Sequence, residues 1–121
     1  MSDINCVCIS GRLARDPVIR NNGEEAAFFT VASKEYYPDQ TGALQRRTAF
    51  VYAQVFGEQA QSLQNRKRGD KVMVVGRLRS EGDGSESQLV LICDSVKFLR
   101  PAWRLGLGSS DTGLRRFGQV T

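Results

Sequence analysis

The side chains best suited to chemistry in this sequence are aromatic rings and arginines, which are concentrated between Ser33 and Phe56. From Thr48 to Phe56, small aliphatic residues alternate with aromatic or polar ones. Because successive side chains of a β-strand point to opposite faces, this alternation predicts a strand with an aliphatic inner face and an aromatic outer face. Flat rings beside arginines on an exposed sheet face are suited to stacking with unpaired nucleic-acid bases.

Two predicted strands, one from Ala26 to Tyr36 and one ending at Phe56, contribute to this outer face. The residues predicted to point inward are Ala27, Phe29, Val31, Ala49, Val51, Ala53 and Val55. The outward aromatic residues are Phe28, Tyr36, Phe50, Tyr52 and Phe56, and Thr30 and Lys34 share their parity. Packing in a subunit interface or beneath a loop is the alternative to base stacking for these rings.

Basic residues near the aromatic ones are candidates for phosphate contacts. Arg46 and Arg47 fall in a predicted loop between the second and third strands, and such a loop can fold over a bound strand. Arg77 and Arg79 point outward from a later predicted strand. The alternative for these four arginines is that they are solvated surface charges without a phosphate partner. The further candidates are Arg12, Lys34, Arg68 and Lys71.

The residue types that most enzymes and metal sites need are missing or badly spaced. The sequence has no histidine, which removes the commonest general base and nitrogen ligand. Cys6, Cys8 and Cys93 show neither CxxC nor CxxxC spacing, which argues against zinc and against a disulfide framework. The acidic stretch from Glu81 to Glu86 lacks the ligand set of a calcium loop. We therefore expect no catalytic residues, no metal and no cofactor.

Length and charge indicate one soluble domain. The 121 residues suit a single compact core, and no apolar run approaches the ~20 residues that span a bilayer. The first residues lack a secretory signal, and reduced thiols fit the cytoplasm. The net charge of +4 is uneven, because residues 1–99 hold 13 basic and 12 acidic residues while residues 100–121 hold four arginines and Asp111.

Five short strands and one helix after the third strand predict an all-β fold. The predicted elements are strands at 4–13, 26–36, 48–56, 71–80 and 88–99, a possible extra pairing at 18–20, and a helix at 57–65. The best-fitting small barrel is the OB-fold, a five-stranded Greek key that commonly presents a nucleic-acid-binding face. We expect this domain over residues 1–100 and a short, flexible, basic, glycine-rich tail over 101–121. The tail, which contains Trp103, is either inert or a basic-aromatic arm.

Several short segments together resemble the bacterial single-stranded DNA-binding protein family, usually called SSB. They cover about residues 4–100 and carry the resemblance by their combination and order. The matching segments are Val7–Leu13 followed by Arg15–Pro17, Phe29–Ala32, Val55–Gly57, Arg68–Gly69, Val75–Arg79 and Asp94–Leu99.

The resemblance implies a function and an assembly. Members of this family are homo-oligomers of OB-folds, typically tetramers, around which single-stranded DNA wraps without sequence specificity. The family's stacking aromatics fall on Tyr36, Phe50 and Phe56. A role in DNA replication, recombination or repair at the bacterial nucleoid follows from the resemblance, and a dimer is the alternative assembly.

Two departures from the family pattern bear on binding and on partners. Asp83 stands where the family often carries one more aromatic, which predicts the loss of one stacking contact. The sequence ends at Arg115–Thr121, short and basic, where the family has an acidic tip that recruits replication and repair proteins. An adaptor resembling the primosomal OB-fold proteins, which mainly holds a protein partner, is therefore the alternative function.

Overall fold

Alternating inner and outer residues form six β-strands and two short 3₁₀ helices in the computed structural model, which describes residues 2–99. The predicted tail at 101–121 lies outside the described residues. The strands are β1 (Val7–Leu13), β2 (Val18–Asn21), β3 (Glu25–Pro38), β4 (Leu44–Phe56), β5 (Lys71–Glu81) and β6 (Gln88–Leu99). The 3₁₀ helices are Gly57–Leu63 and Gly84–Glu86.

Five of the strands close into a barrel. Neighbouring strands follow the order β1, β5, β6, β4, β3, and the ring closes where Arg12 and Leu13 of β1 pair with β3. β4 and β6 run parallel, whereas the other pairs are antiparallel. β2 adds a short sixth strand along β3. This topology confirms the predicted OB-fold, including the helix that follows the third barrel strand.

Aliphatic side chains from every barrel strand fill the interior. Val31, Val55, Val72, Val74 and Leu91 are almost completely buried. Each such side chain contributes about 1.5–3 kcal/mol when it is removed from water. The 3₁₀ helix Gly57–Leu63 adds buried Ala60 and Leu63, which share one face because three residues complete a turn of this helix.

The first strand begins later than predicted. Ile4 is almost fully exposed, and strand pairing starts at Val7 opposite Gly76. Before that point the side chain of Asn5 takes the place of backbone pairing: its Nδ2 donates to the Leu78 carbonyl, and its Oδ1 accepts from the Leu78 N–H, both at 2.9 Å.

Burial departs from expectation at two positions, although both side chains lie on the predicted face. Thr30 is on the outer face opposite Tyr52 but is only 7% exposed, because it lies in a groove between the Arg15–Val18 segment and Tyr52. Ala49 is on the inner face but is exposed. The β3–β4 pair extends past the rest of the barrel here, so no other strand covers its inner side. We call this extension, residues 33–49, the ribbon.

Two strands pass unusually close together at Gly11. A Cβ atom on Gly11 would lie 2.2 Å from the carbonyl oxygen of Ala32 in β3, which is shorter than any tolerable contact. Gly76 is in the same situation against the Ile92 carbonyl, at 2.0 Å. The barrel therefore closes only if these positions carry no side chain.

Gly11→Ala should reduce the free energy of unfolding by roughly 1–3 kcal/mol, because the methyl group forces β1 and β3 apart. The sign of this change is informative, because replacing a glycine within a strand by alanine otherwise raises the free energy of unfolding. Urea unfolding at fixed protein concentration measures the change. Ser10→Ala, an exposed neighbour in the same strand, is the control and should stay within about 0.5 kcal/mol of the wild type. A Gly11→Ala protein as stable as that control would contradict the close approach.

Candidate nucleic-acid interface

The register of β3 and β4 brings all five outward aromatic residues to one side of the sheet. Directly opposed residues in antiparallel strands have side chains on the same face. Tyr36 opposes Arg46, and Ala32 opposes Phe50. The remaining pairs on this side are Thr30 with Tyr52, Phe28 with Gln54, and Ala26 with Phe56. We call this side of β3 and β4 the aromatic face.

Four of these rings are open to solvent. Tyr36 is 59% exposed and Phe50 65% exposed, while Tyr52 and Phe56 are 50% and 37% exposed. Four partly exposed rings on one face form an apolar surface of the kind that marks an interaction site. Phe56 is the least open of the four, because the 3₁₀ helix begins directly after it.

Phe28 differs from the other rings. It is half-buried, and the guanidinium carbon of Arg20 lies 5.2 Å from its ring centroid. A cation at this distance already occupies a ring face. Arg20 was not among the predicted site residues, because its proximity to Phe28 depends on the pairing of β2 with β3.

The prediction that Arg46 and Arg47 share a loop is wrong, since both lie in β4 and point to opposite faces. Arg46 lies on the aromatic face opposite Tyr36. Arg47 lies on the reverse face, where its Nε is 3.5 Å from Oε1 of Glu35 and its guanidinium carbon is 4.0 Å from the Tyr37 ring centroid. The two arginines therefore cannot act as one unit.

Arg77 and Arg79 lie on the outer surface of β5 as predicted, but each has a carboxylate partner. Arg77 Nη2 is 3.1 Å from Asp94 Oδ1, and Arg79 Nε is 2.7 Å from Glu81 Oε2. β6 separates them from β4, a distance of about 10 Å. Exposed ion pairs of this kind are weak and can rearrange, yet they lower the local positive charge.

Arg12 and Lys34 lie in a second charged region, beside Tyr36. A groove where β1 crosses from β5 to β3 has seven lining residues: Ser10, Gly11, Arg12, Ala32, Lys34, Tyr36 and Lys71. We call it the basic groove. Its lining includes three cations and no carboxylate. Lys71 was only a minor candidate from the sequence, because its proximity to Lys34 and Tyr36 follows from pairings between distant segments.

The turn that joins β3 to β4 holds the register of the aromatic face. Oδ1 of Asp39 accepts hydrogen bonds from the N–H and hydroxyl of Thr41 and from the N–H of Ala43, at 2.6–3.0 Å. Its Oδ2 accepts from Gln45 Nε2 at 3.0 Å. Gly42 adopts φ +86°, a conformation that favours glycine. The hydrogen bonds from Thr41 and then Gln45 lower the pKa of Asp39 below its ordinary value of 3.8.

The described residues contain no cluster suited to a metal ion, and their one buried thiol is unreactive. Residues 2–99 contain no group of three or more His, Cys, Asp or Glu side chains placed to hold a metal ion. Cys93 is buried, and burial raises the pKa of its thiol to about 12, so the thiol stays protonated and unreactive. No helix in this part of the chain has the length and apolar character to cross a membrane.

Two solved structures of single-stranded DNA-binding proteins share this fold. The small single-stranded DNA-binding protein of Streptomyces coelicolor superposes with a TM-score of 0.67 at 22% identity, over 82% of this chain and 95% of that one. The Plasmodium falciparum SSB, solved with single-stranded DNA, gives 0.68 at 22%, over 83% and 98%. At this identity they establish the class: a single OB-fold barrel, here with an exposed aromatic face.

Sequence comparison identifies the family within that class. The model of the single-strand binding protein family matches residues 4–99, and the chain belongs to this family. Single-stranded DNA-binding proteins of Halalkalibacterium halodurans and Staphylococcus aureus are 33% and 34% identical over 89% and 81% of this chain. That of Deinococcus radiodurans is 32% identical over 65%. The chain spans 68%, 62% and 27% of these relatives' lengths, respectively.

Asp39→Ala should lower the urea midpoint of the protein at pH 7, because it removes the acceptor of four hydrogen bonds in the turn. A lowered pKa in the folded state means that this stabilisation is present above pH 3.8 and is lost as the pH falls through the lower folded value. The difference between the wild type and the variant should therefore shrink below pH 3.8. Urea unfolding from pH 7 to pH 2, at fixed protein concentration, measures it.

Asp83→Ala is the matched control for this change. Asp83 lies in the other hairpin loop, where its side chain makes no hydrogen bond within residues 2–99. Its removal should leave the midpoint at pH 7 nearly unchanged. A midpoint difference for Asp39→Ala that does not vary with pH would contradict the role of the ionised carboxylate.

Proposed function

We propose that this protein binds single-stranded DNA without sequence preference and protects it during replication, recombination or repair. The observation that carries this proposal is the aromatic face, which presents four exposed rings on one sheet surface. Membership of the single-strand binding protein family supports it. The protein acts as a binding protein, without catalytic residues or a cofactor.

Base stacking supplies the contact with the DNA bases. Tyr36, Phe50 and Phe56 receive bases, and Tyr52 extends this surface beside Phe50. Each stacked base contributes about 1–3 kcal/mol, and every base has a flat face, so stacking does not select a sequence. Bases in a duplex are already paired and stacked, so they are not available to these rings. The face therefore discriminates single strands from duplex.

Phosphate neutralisation supplies the remaining affinity. Arg46 and Lys34 lie on the same side of the ribbon as Tyr36, and Arg12 lies one strand further, opposite Ala32. Within residues 2–99 none of these three cations has a carboxylate within 4 Å. Arg47, Arg77 and Arg79 contribute less, because they must first leave their acidic partners.

The family also supports a proposal for organisation. The DNA-binding domain is assigned to residues 1–100, and the predicted basic tail at 101–121 lies outside the described residues. Copies of the chain associate as a tetramer, with a dimer as the alternative, in the bacterial cytoplasm at the nucleoid. A single strand then passes over the aromatic faces of several subunits.

A titration of labelled oligo-dT against a labelled duplex of the same length tests the function. Fluorescence anisotropy of the DNA is the suitable signal, because Trp103, the only tryptophan in the sequence, lies outside the described residues 2–99. We expect tight binding of oligo-dT, much weaker binding of duplex, and log K falling linearly with log salt by about 0.7 per neutralised phosphate. Equal affinity for the two DNAs, or no binding at low salt, would contradict the proposal.

Two neighbouring tyrosines test which face binds. Tyr36 and Tyr37 are adjacent in the ribbon and point to opposite sides. Tyr36→Ala should weaken oligo-dT binding by roughly 5- to 150-fold, the equivalent of one lost stacking contact of about 1–3 kcal/mol. Tyr37→Ala should change the affinity less than about threefold.

The arginine pair gives an independent comparison on the same ribbon. Arg46→Gln should weaken oligo-dT binding and reduce its salt dependence, whereas Arg47→Gln should not. If Tyr36→Ala and Tyr37→Ala weakened oligo-dT binding equally, and the two arginine variants did so as well, the assignment of the aromatic face as the DNA-binding side would be contradicted. If Tyr36→Ala and Phe50→Ala left DNA binding intact but abolished the capture of a protein partner, the adaptor function would replace DNA binding.

A further inference from the structure

We propose that the basic groove is a phosphate-binding subsite that directs the DNA strand off the aromatic face, across β1 and β5. This inference rests on the proposed function and adds a route to it. The ligand is the phosphodiester backbone of the nucleotides next to the base stacked on Tyr36. Tyr36 belongs to both surfaces, because it lies on the aromatic face and also lines the groove.

A continuous row of opposed residues joins the two surfaces. Phe50 of β4 opposes Ala32 of β3, which opposes Arg12 of β1, which in turn opposes Lys71 of β5. These side chains share the outer surface, and the row spans about 14 Å at the usual strand spacing. The small side chain of Ala32 leaves a depression between Phe50 and Arg12. A backbone that follows this depression passes from a stacking ring to two cations.

The cations of the groove are available for an anion. Arg12 Nη1 donates to the Gly69 carbonyl at 2.9 Å, which fixes the guanidinium and leaves its other N–H groups without a protein acceptor within residues 2–99. Lys34 and Lys71 make no ion pair in the same part of the chain. The neighbouring Asp70 does not line the groove, and its Oδ2 accepts from the Lys67 N–H at 3.1 Å.

The opposite route off the aromatic face is less favourable for a polyanion. Gln54 of β4 opposes Ile92 of β6, which opposes Arg77 of β5, and Arg77 is held by Asp94. Arg79 beyond it is held by Glu81, next to the acidic loop that contains Asp83 and Glu86. Carboxylates along this path repel phosphate. Charge and shape therefore both favour the path through the basic groove.

Two charge-matched triple variants test the route. The first removes the groove cations (Arg12→Gln, Lys34→Gln, Lys71→Gln), and the second removes the paired ones (Arg47→Gln, Arg77→Gln, Arg79→Gln). Both variants lower the net charge by three. A difference between their salt slopes for oligo-dT binding therefore reflects where the cations lie and not the total charge. For oligo-dT, the groove variant should lower the slope of log K against log salt by about 2, at ~0.7 per lost phosphate contact. The second variant should lower it by less than 1 on the same basis. Equal changes in the two variants would overturn the inference.

If the loss of Arg12 impairs folding, the double variant Lys34→Gln with Lys71→Gln still tests the route, because neither lysine side chain makes a hydrogen bond or an ion pair within residues 2–99. Its slope should fall by about 1.4. Methylphosphonate oligo-dT, which has an uncharged backbone, should bind this variant and the wild type equally. A difference that persisted on the uncharged strand would contradict phosphate binding.

The outcomes for the function and for the route are separable. If wild-type protein binds oligo-dT and Tyr36→Ala weakens it, but the groove variants keep the wild-type salt slope, the proposed function stands and the route is wrong. If the wild type does not bind oligo-dT at all, both are wrong.

Discussion

The register between β3 and β4 is the constraint on which the candidate site depends. Side chains alternate between faces with a period of two, so a slip of one residue would transfer every ring of one strand to the other side. The Asp39 carboxylate and Gly42 hold this register at the turn, outside the barrel core. A polar loop of a few residues therefore decides whether Tyr36 and Phe50 share a face.

The same register sorts charge as well as rings. Lys34 and Arg46 fall with Tyr36, whereas Glu35 and Arg47 fall together on the reverse side and form an ion pair there. One side of the ribbon is thus aromatic and basic, and the other is close to neutral. The bases and phosphates of the proposed DNA ligand match only the first side.

Local patterns in the sequence predicted the barrel and the rings, whereas the arrangement of charge depended on distant segments. Alternation alone placed Phe50 and Tyr52 outward, since the faces of a strand follow from its own residues. The burial of Ala49 and Thr30 did not follow from their faces, because it depends on where the ribbon leaves the barrel and where the Arg15–Val18 segment lies. The groove formed by Arg12, Lys34 and Lys71 requires the pairing of β1 with both β3 and β5. No local signal in the sequence shows this pairing.

Photochemical cross-linking of a 5-iodouracil-containing single strand, followed by peptide mapping, tests the central claim that the aromatic face binds bases. Excitation of the iodinated base links it to an aromatic ring in direct contact. The account predicts cross-links to Tyr36, Phe50, Tyr52 or Phe56 and none to Tyr37. Cross-links concentrated on Tyr37, with the aromatic face unmodified, would contradict it.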